Sequence, residues 1–130
     1  MTTKPNKRVI KRWVEALRSG KYKQGRKTLR KDDTGGNSRY CCLGVLCDLH
    51  SRTREGAKWD KSPLDYNDYE YDSKLGFLPL GVSLWAGLNS DDPVVEVGGE
   101  RKSLSALNDR GVRFTTIANA IEREFLGGDK

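Results

Sequence analysis

The apolar positions of the chain fall into short groups separated by turn formers, and each group has its own period. Val9, Ile10, Trp13, Val14 and Leu17 lie at i, i+1, i+4, i+5 and i+8, which is one stripe of a helix. Asn6 stands where an N-cap is wanted and Gly20 where a left-handed C-cap is wanted, so the spacing predicts a helix ending near Ser19. The most concentrated apolar run is Tyr40-Cys41-Cys42-Leu43-Gly44-Val45-Leu46-Cys47-Asp48-Leu49-His50. Within it Leu43, Leu46, Cys47 and His50 keep helical spacing, as do Cys42, Leu46 and Leu49, while Arg39 to Cys42 suits the end of a strand. A short strand entering a buried helix is predicted, the helix ending near Arg54 and Gly56. Ahead of it, the turn formers Asp32-Asp33-Thr34-Gly35-Gly36-Asn37 close a hairpin near residues 26–42, with Arg26 and Thr28 on one side and Lys27 and Leu29 on the other.

Farther on, Pro79 suits the first turn of a short helix reaching about Gly87 and burying Leu80, Leu84, Trp85 and Leu88. Val94 to Val97, Gly98-Gly99 and Glu100 to Lys102 read as strand, tight turn and return strand. Ser103 caps a helix from Leu104 to Arg110, and Thr115 caps another that buries Ile117, Ala118, Ile121 and Phe125. Residues 57–76 carry Trp59, Tyr66, Tyr69 and Tyr71 among Asp60, Asp65, Asp68, Glu70 and Asp72, and read as a polar surface insertion. The fold expected is a single α+β domain over 1–130. Its small antiparallel sheet is built from the hairpin near 26–42 and the strand near 94–97, and is packed with N-terminal, central and C-terminal helices.

Charge changes this picture. The net charge is +6, but residues 1–30 hold 11 Lys or Arg against Glu15 alone, so the first thirty residues carry +10 and the rest −4. A local block of this kind attracts phosphates, or else serves only as a solvated face. Tyr22, Lys23, Arg26, Lys27, Arg30 and Arg39 are the candidate ligand-binding residues, giving charge-assisted contacts and one stacking face. A second candidate surface is Asp65, Tyr66, Asp68, Tyr69, Glu70, Tyr71 and Asp72, whose carboxylates and rigid rings suit a basic protein partner.

The chemistry of catalysis and metal binding finds little purchase. Cys41, Cys42, Cys47 and His50 lack a CxxC or a second ligand pair, and their adjacent cysteines point different ways, so no metal is expected. Nor does anything supply the third group that would orient His50 toward a nucleophilic cysteine. Three cysteines make no complete disulfide framework, and with no apolar leader at the start they suggest a reducing compartment. Gly25-Arg26-Lys27 is too short for a phosphate-cradling loop, and no frame in 57–76 meets the pattern of a calcium loop. A single histidine and no paired-carboxylate motif argue against an enzyme, and no cofactor is expected. Leu107 to Ala118 has the look of the first half of a helix-turn-helix, but no recognition helix follows it before Gly128, so base reading by that route is not expected. No apolar stretch reaches the length of a membrane span.

Four groups of residues together resemble a known family. They are Trp13 with Ala16-Leu17-Arg18-Ser19-Gly20-Lys21-Tyr22, the Tyr40 to Leu49 run, Leu84-Trp85-Ala86-Gly87-Leu88, and Leu107-Asn108-Asp109 with Phe114, Ile117-Ala118 and Ile121-Glu122. The family is one of small accessory proteins of bacteriophage and prophage genomes, and the likeness extends over nearly all the chain outside residues 50–76. It brings no catalytic residue, but implies a phage protein made in the host bacterial cytoplasm. The function expected is non-enzymatic: inhibition of host defence by binding an anionic target, either a nucleic-acid-binding defence complex or a nucleotide immune signal. A defence protein held by the acidic, tyrosine-rich segment is the alternative, a nucleotide-processing enzyme a remoter one, and a homo-oligomer stays open.

Overall fold

The computed structural model describes residues 4–127. Among them the helices are α1 (Lys7–Arg18), α2 (Cys42–Ser51), α3 (Leu80–Ala86), α4 (Leu104–Asp109) and α5 (Phe114–Phe125). The strands are β1 (Lys23–Gln24), β2 (Arg30–Asp32), β3 (Ser38–Tyr40), β4 (Trp59–Lys61), β5 (Asp68–Tyr71), β6 (Val94–Val97) and β7 (Glu100–Ser103). The fold is α+β. A mixed sheet runs in the order β1-β3-β2-β5-β4, with β1 parallel to β3 and its other pairs antiparallel, and β6–β7 forms a separate two-stranded sheet.

The predicted stripe makes α1. Val9, Ile10, Trp13, Val14 and Leu17 are all buried, each worth about 1.5–3 kcal/mol on leaving water, and the Asn6 side chain accepts the Val9 N–H. This face packs mainly on α5, where Ile117, Ala118 and Ile121 are buried. Trp13 also donates its indole N–H to the Cys42 carbonyl at 2.9 Å, tying α1 to the start of α2. α2 is core almost all round, as its mostly apolar sequence demands, with Asp48 and His50 buried among the apolar residues. Cys41 caps it, its Sγ accepting the Gly44 N–H at 3.4 Å. Gly44 is obligatory for another reason: a Cβ there would meet the backbone of Leu29, so the helix reaches the sheet only because the side chain is missing.

The hairpin of 26–42 forms as β2–β3 with its turn at Asp33 to Asn37, though pairing starts at Arg30 rather than Arg26. Residues 25–28 are instead an irregular link, with Lys27 at φ 73. The strand of 94–97 and its return also form, but pair only with each other. Residues 57–76, expected to be an irregular insertion, supply β4 and β5 and so two strands of the main sheet. The Asp68-Tyr69-Glu70-Tyr71 alternation is a period of two, which puts both tyrosines on the inner face and both carboxylates on the outer one.

Two helices differ from expectation in detail. α3 has the predicted Pro79 start and left-handed Gly87, yet Leu80 and Leu84 are exposed and Val82, Ser83 and Ala86 face inward. The small face wins because it lets the chain approach α1 closely: Asn6 N–H donates to the Ala86 carbonyl at 2.9 Å, and Gly87 lies against the backbone of Lys4 and Pro5. α5 begins at Phe114, one residue before the expected Thr115 cap, with Arg113 at the N-cap position.

Candidate functional site

The solvent face of α1 carries Lys7, Arg8, Lys11 and Arg12, all exposed. Lys7 and Arg8 occupy the first two helical positions, where the helix dipole disfavours cations, and no acidic residue offsets them in that turn. Lys7 with Lys11 and Arg8 with Arg12 are like-charge pairs at i, i+4, each unfavourable by a few tenths of a kcal/mol. Among the described residues none of the four forms an ion pair. The last cation of the helix differs: Arg18 is 3.0 Å from Glu122, which holds its guanidinium more firmly protonated and the Glu122 carboxyl below its usual range.

The cations expected in and beside the hairpin are arranged differently. Arg39 lies 3.1 Å from Asp33 and Lys31 lies 3.5 Å from Asp68. Asp33 is held below the usual carboxylate range chiefly by the N–H groups of its own turn, with Arg39 adding to them. Arg30 turns to the inner face, its guanidinium carbon 4.0 Å from the Tyr69 ring centre, 5.6 Å from Trp59 and 5.8 Å from Tyr40, while Nε donates to Ser38. Lys23 is paired in register with Arg39 on the outer face. Arg26 joins Lys31 and Arg39 around a recess of about 630 Å³, and Lys27 gives its backbone N–H to Asp109. Of the six predicted residues, then, Tyr22 and Arg30 turn inward, Lys23, Arg26 and Arg39 belong to the outer side, and Lys27 is exposed in the link beside Asp109.

Tyr22 belongs to a further feature, a cleft of about 790 Å³ between α1, α2 and the inner sheet face. Its rim includes Arg12, Glu15, Lys21 and Arg52, and its wall Tyr22, Ser38 and Tyr40. The two tyrosine rings meet edge to face with centroids 5.1 Å apart. Beneath them Asp48, a buried carboxylate in an otherwise apolar helix, accepts from the Tyr22 hydroxyl at 2.6 Å, Trp59 Nε1 at 3.1 Å and Arg52 at 3.2 Å. Tyr22 and Arg52 share its Oδ2, and Trp59 bonds its Oδ1. Burial first and Asp48 second push the Tyr22 hydroxyl well above the ordinary phenol value, so it stays a donor at neutral pH.

The segment from Asp65 to Asp72 does not present one contact surface. Tyr71 is fully buried, its hydroxyl accepting the Ala57 N–H and lying 2.7 Å from His50 Nδ1. Tyr69 is covered by Arg30 and donates to Asp32, and Asp68 is paired with Lys31. Glu70 faces out opposite Asp60, Asp65 accepts the Asn67 N–H, and Asp72 is exposed in a left-handed turn, leaving Tyr66 with Leu64 as the exposed tip. Cys41, Cys42 and Cys47 are buried thiols whose surroundings disfavour the charged form, with Cys41 pushed up to about 11. Burial lowers the His50 pKa. Among the described residues no three His, Cys, Asp or Glu side chains converge as metal ligands, and no helix is long and apolar enough to cross a membrane.

Asn108, named in the sequence only as part of the family likeness, is fully buried in α4 and was not foreseen as an anchor. Its Oδ1 accepts from Gln24 Nε2 at 3.0 Å and the Cys42 N–H at 3.1 Å, and its Nδ2 donates to the Gly25 carbonyl at 2.7 Å. One amide thus joins α4, β1 and the entry to α2. Residues 5–125 match the family model described as a domain of unknown function, DUF8296. The chain belongs to that family. No curated protein and no solved structure matches it. The DUF8296 span takes in α1 to α5, so the basic helix face, the cleft and Asn108 all lie inside it.

Proposed function

We propose that this DUF8296 protein is a non-enzymatic binder of a polyanion, and that the solvent face of α1 is its contact surface. The observation that supports this reading is the self-repelling row Lys7, Arg8, Lys11 and Arg12, set against the helix dipole and without ion pairs among the described residues. Such a row costs the free protein stability and gains its return only when phosphates neutralise it. The setting is a proposal from the resemblance: a phage accessory protein in the host bacterial cytoplasm, inhibiting a defence component that works on nucleic acid by occupying the same phosphates.

The test is anisotropy of a labelled single-stranded oligonucleotide across a salt series. Replacing all four cations by Gln is expected to cut affinity about a hundredfold near physiological salt and to reduce the log–log salt slope by about 3. Unchanged affinity and slope in the quadruple variant overturn the reading.

A further inference from the structure

The cleft beside α1 has a different chemistry from the helix face. The face offers charge alone, whereas the cleft combines aromatic wall, hydroxyls and rim cations in a volume of about 790 Å³, inside the range of about 300–1,000 Å³ typical of small-ligand sites. We propose that this cleft binds a mononucleotide, its base against Tyr22 and Tyr40 and its phosphate toward Arg12 and Lys21. This goes beyond the polyanion reading, because it assigns a pocket for one nucleotide rather than a surface for a chain.

The base would be held by stacking, worth about 1–3 kcal/mol per base on aromatic side chains. The two rings are fixed before any ligand arrives: Tyr22 is anchored by its hydroxyl on Asp48, and Tyr40 is wedged between Tyr22 and Trp59, whose ring centre is 6.0 Å away. Such preorganisation removes part of the ordering cost of binding. The charge of the buried carboxylate is offset by Arg52, 3.2 Å away, and its oxygens are held by Tyr22 and Trp59. Arg12 and Lys21 have no ion-pair partner among the described residues, so their charge is available to the ligand. Glu15, also on the rim, suits the hydroxyl pair of a ribose, for which a carboxylate is a natural acceptor. A site of this composition should prefer the whole nucleotide to either of its halves.

The experiment uses the full chain and follows the three tryptophan indole N–H signals by heteronuclear NMR. Trp59, bonded to Asp48 at the floor of the cleft, is the reporter, and Trp13, bonded to the Cys42 carbonyl in the core, is the internal control. Adenosine, guanosine, cytidine and uridine monophosphates are titrated to about 10 mM, past the millimolar range where a weak site saturates, with adenosine and inorganic phosphate as separate arms. A saturable shift of Trp59 with at least one nucleotide, about tenfold tighter than with adenosine or phosphate, supports the proposal. Arg12→Gln with Lys21→Gln should remove the advantage of the nucleotide over the nucleoside, and Tyr40→Leu should weaken both. Should Tyr40→Leu not fold, Tyr22→Phe serves, since it keeps the ring but releases it from Asp48. No saturable shift with any nucleotide, or phosphate binding as tightly as the nucleotide, overturns it. Lys7→Gln with Lys11→Gln separates the two readings: it spares the nucleotide shift but lowers oligonucleotide affinity, so either reading can fail while the other stands.

Discussion

On α1, Lys7, Arg8, Lys11 and Arg12 stand exposed with no ion pair among the described residues, whereas on the β2–β3 hairpin Arg39 lies 3.1 Å from Asp33 and Lys31 3.5 Å from Asp68. The two stretches carry the same kind of cationic side chain. What separates them is the company each keeps. The hairpin brings its own acid, Asp33, in the turn and gains Asp68 from β5, so Arg39 and Lys31 are already paired. The helix has one acid, Glu15, which forms no ion pair with the four among the described residues, and all four cations are exposed. Charge that is already paired costs a ligand the breaking of that pair; charge that repels its neighbours rewards a ligand for arriving.

The largest effect expected is one in which stability and binding move in opposite directions. Lys7→Glu with Arg8→Glu places acids where the helix dipole favours them, worth about 0.3–1 kcal/mol each, so melting should rise by about 2–6 °C. Oligonucleotide affinity should fall at least about a hundredfold in the same protein, since two contacts are lost and two repulsions gained. Thermal melting and anisotropy on one preparation check both halves, and a joint loss would mean that the row is part of the fold.

Next in size is the anchor of the hairpin side. Asn108→Ala removes partners from Gln24, Gly25 and Cys42 in a buried setting, and should cost about 3 kcal/mol in a denaturant titration. The link of residues 24–28 should then exchange its amide hydrogens faster. Oligonucleotide affinity should stay close to that of the parent wherever the protein is folded, because α1 is held by α5 and not by this amide.

A pH series distinguishes both surfaces from the core beneath them. The Cys41 thiol has a folded value raised from 9.0 to about 11, so the unfolded chain loses its proton first as pH rises. Stability is therefore whole below about pH 9 and declines above it, by about 2–3 kcal/mol for full development of this one shift. Cys42 and Cys47 act in the same direction. Cys41→Ala should flatten the alkaline slope of a urea midpoint measured between pH 8 and pH 10, whatever it does to the midpoint itself. His50 contributes on the other side: its lowered value means that the unfolded chain takes up a proton first, so stability falls as pH drops below about 6.5.

The smallest effect expected is on the paired cations. Lys31→Gln with Arg39→Gln should leave melting within about 3 °C of the parent, as exposed ion pairs contribute little. It should also leave the salt slope of oligonucleotide binding unchanged. A fall in slope like that of the α1 variants would move the contact surface to the hairpin.

How far the fold was legible in the sequence depends on the range of the interactions that make it. Asn6, Ser103, the α1 stripe, the turn from Asp33 to Asn37 and the Gly98-Gly99 turn were all legible, because caps, turns and periods are settled by residues a few positions apart. The alternation of Asp68 to Tyr71 was equally plain as a pattern, but its high polarity read as a loop until β2 supplied a partner for β5. The inward face of α3 was not legible at all: leucine spacing favoured one side, and the close approach of α1 to Ala86 and Gly87 chose the other.

The candidate site divides in the same way. The sequence by itself determined that the first thirty residues are strongly basic and that α1 has an apolar and a cationic side, since both follow from residue type and a 3.6-residue period. Only the tertiary structure decided which cations are neutralised, because Asp68 reaches Lys31, Glu122 reaches Arg18 and Tyr69 covers Arg30 across gaps of 37 to 104 residues, which no local pattern encodes. The cleft too exists only where α1, α2 and the inner sheet face meet, and Asp48 organises it by bonding Tyr22 and Trp59 from two other parts of the chain.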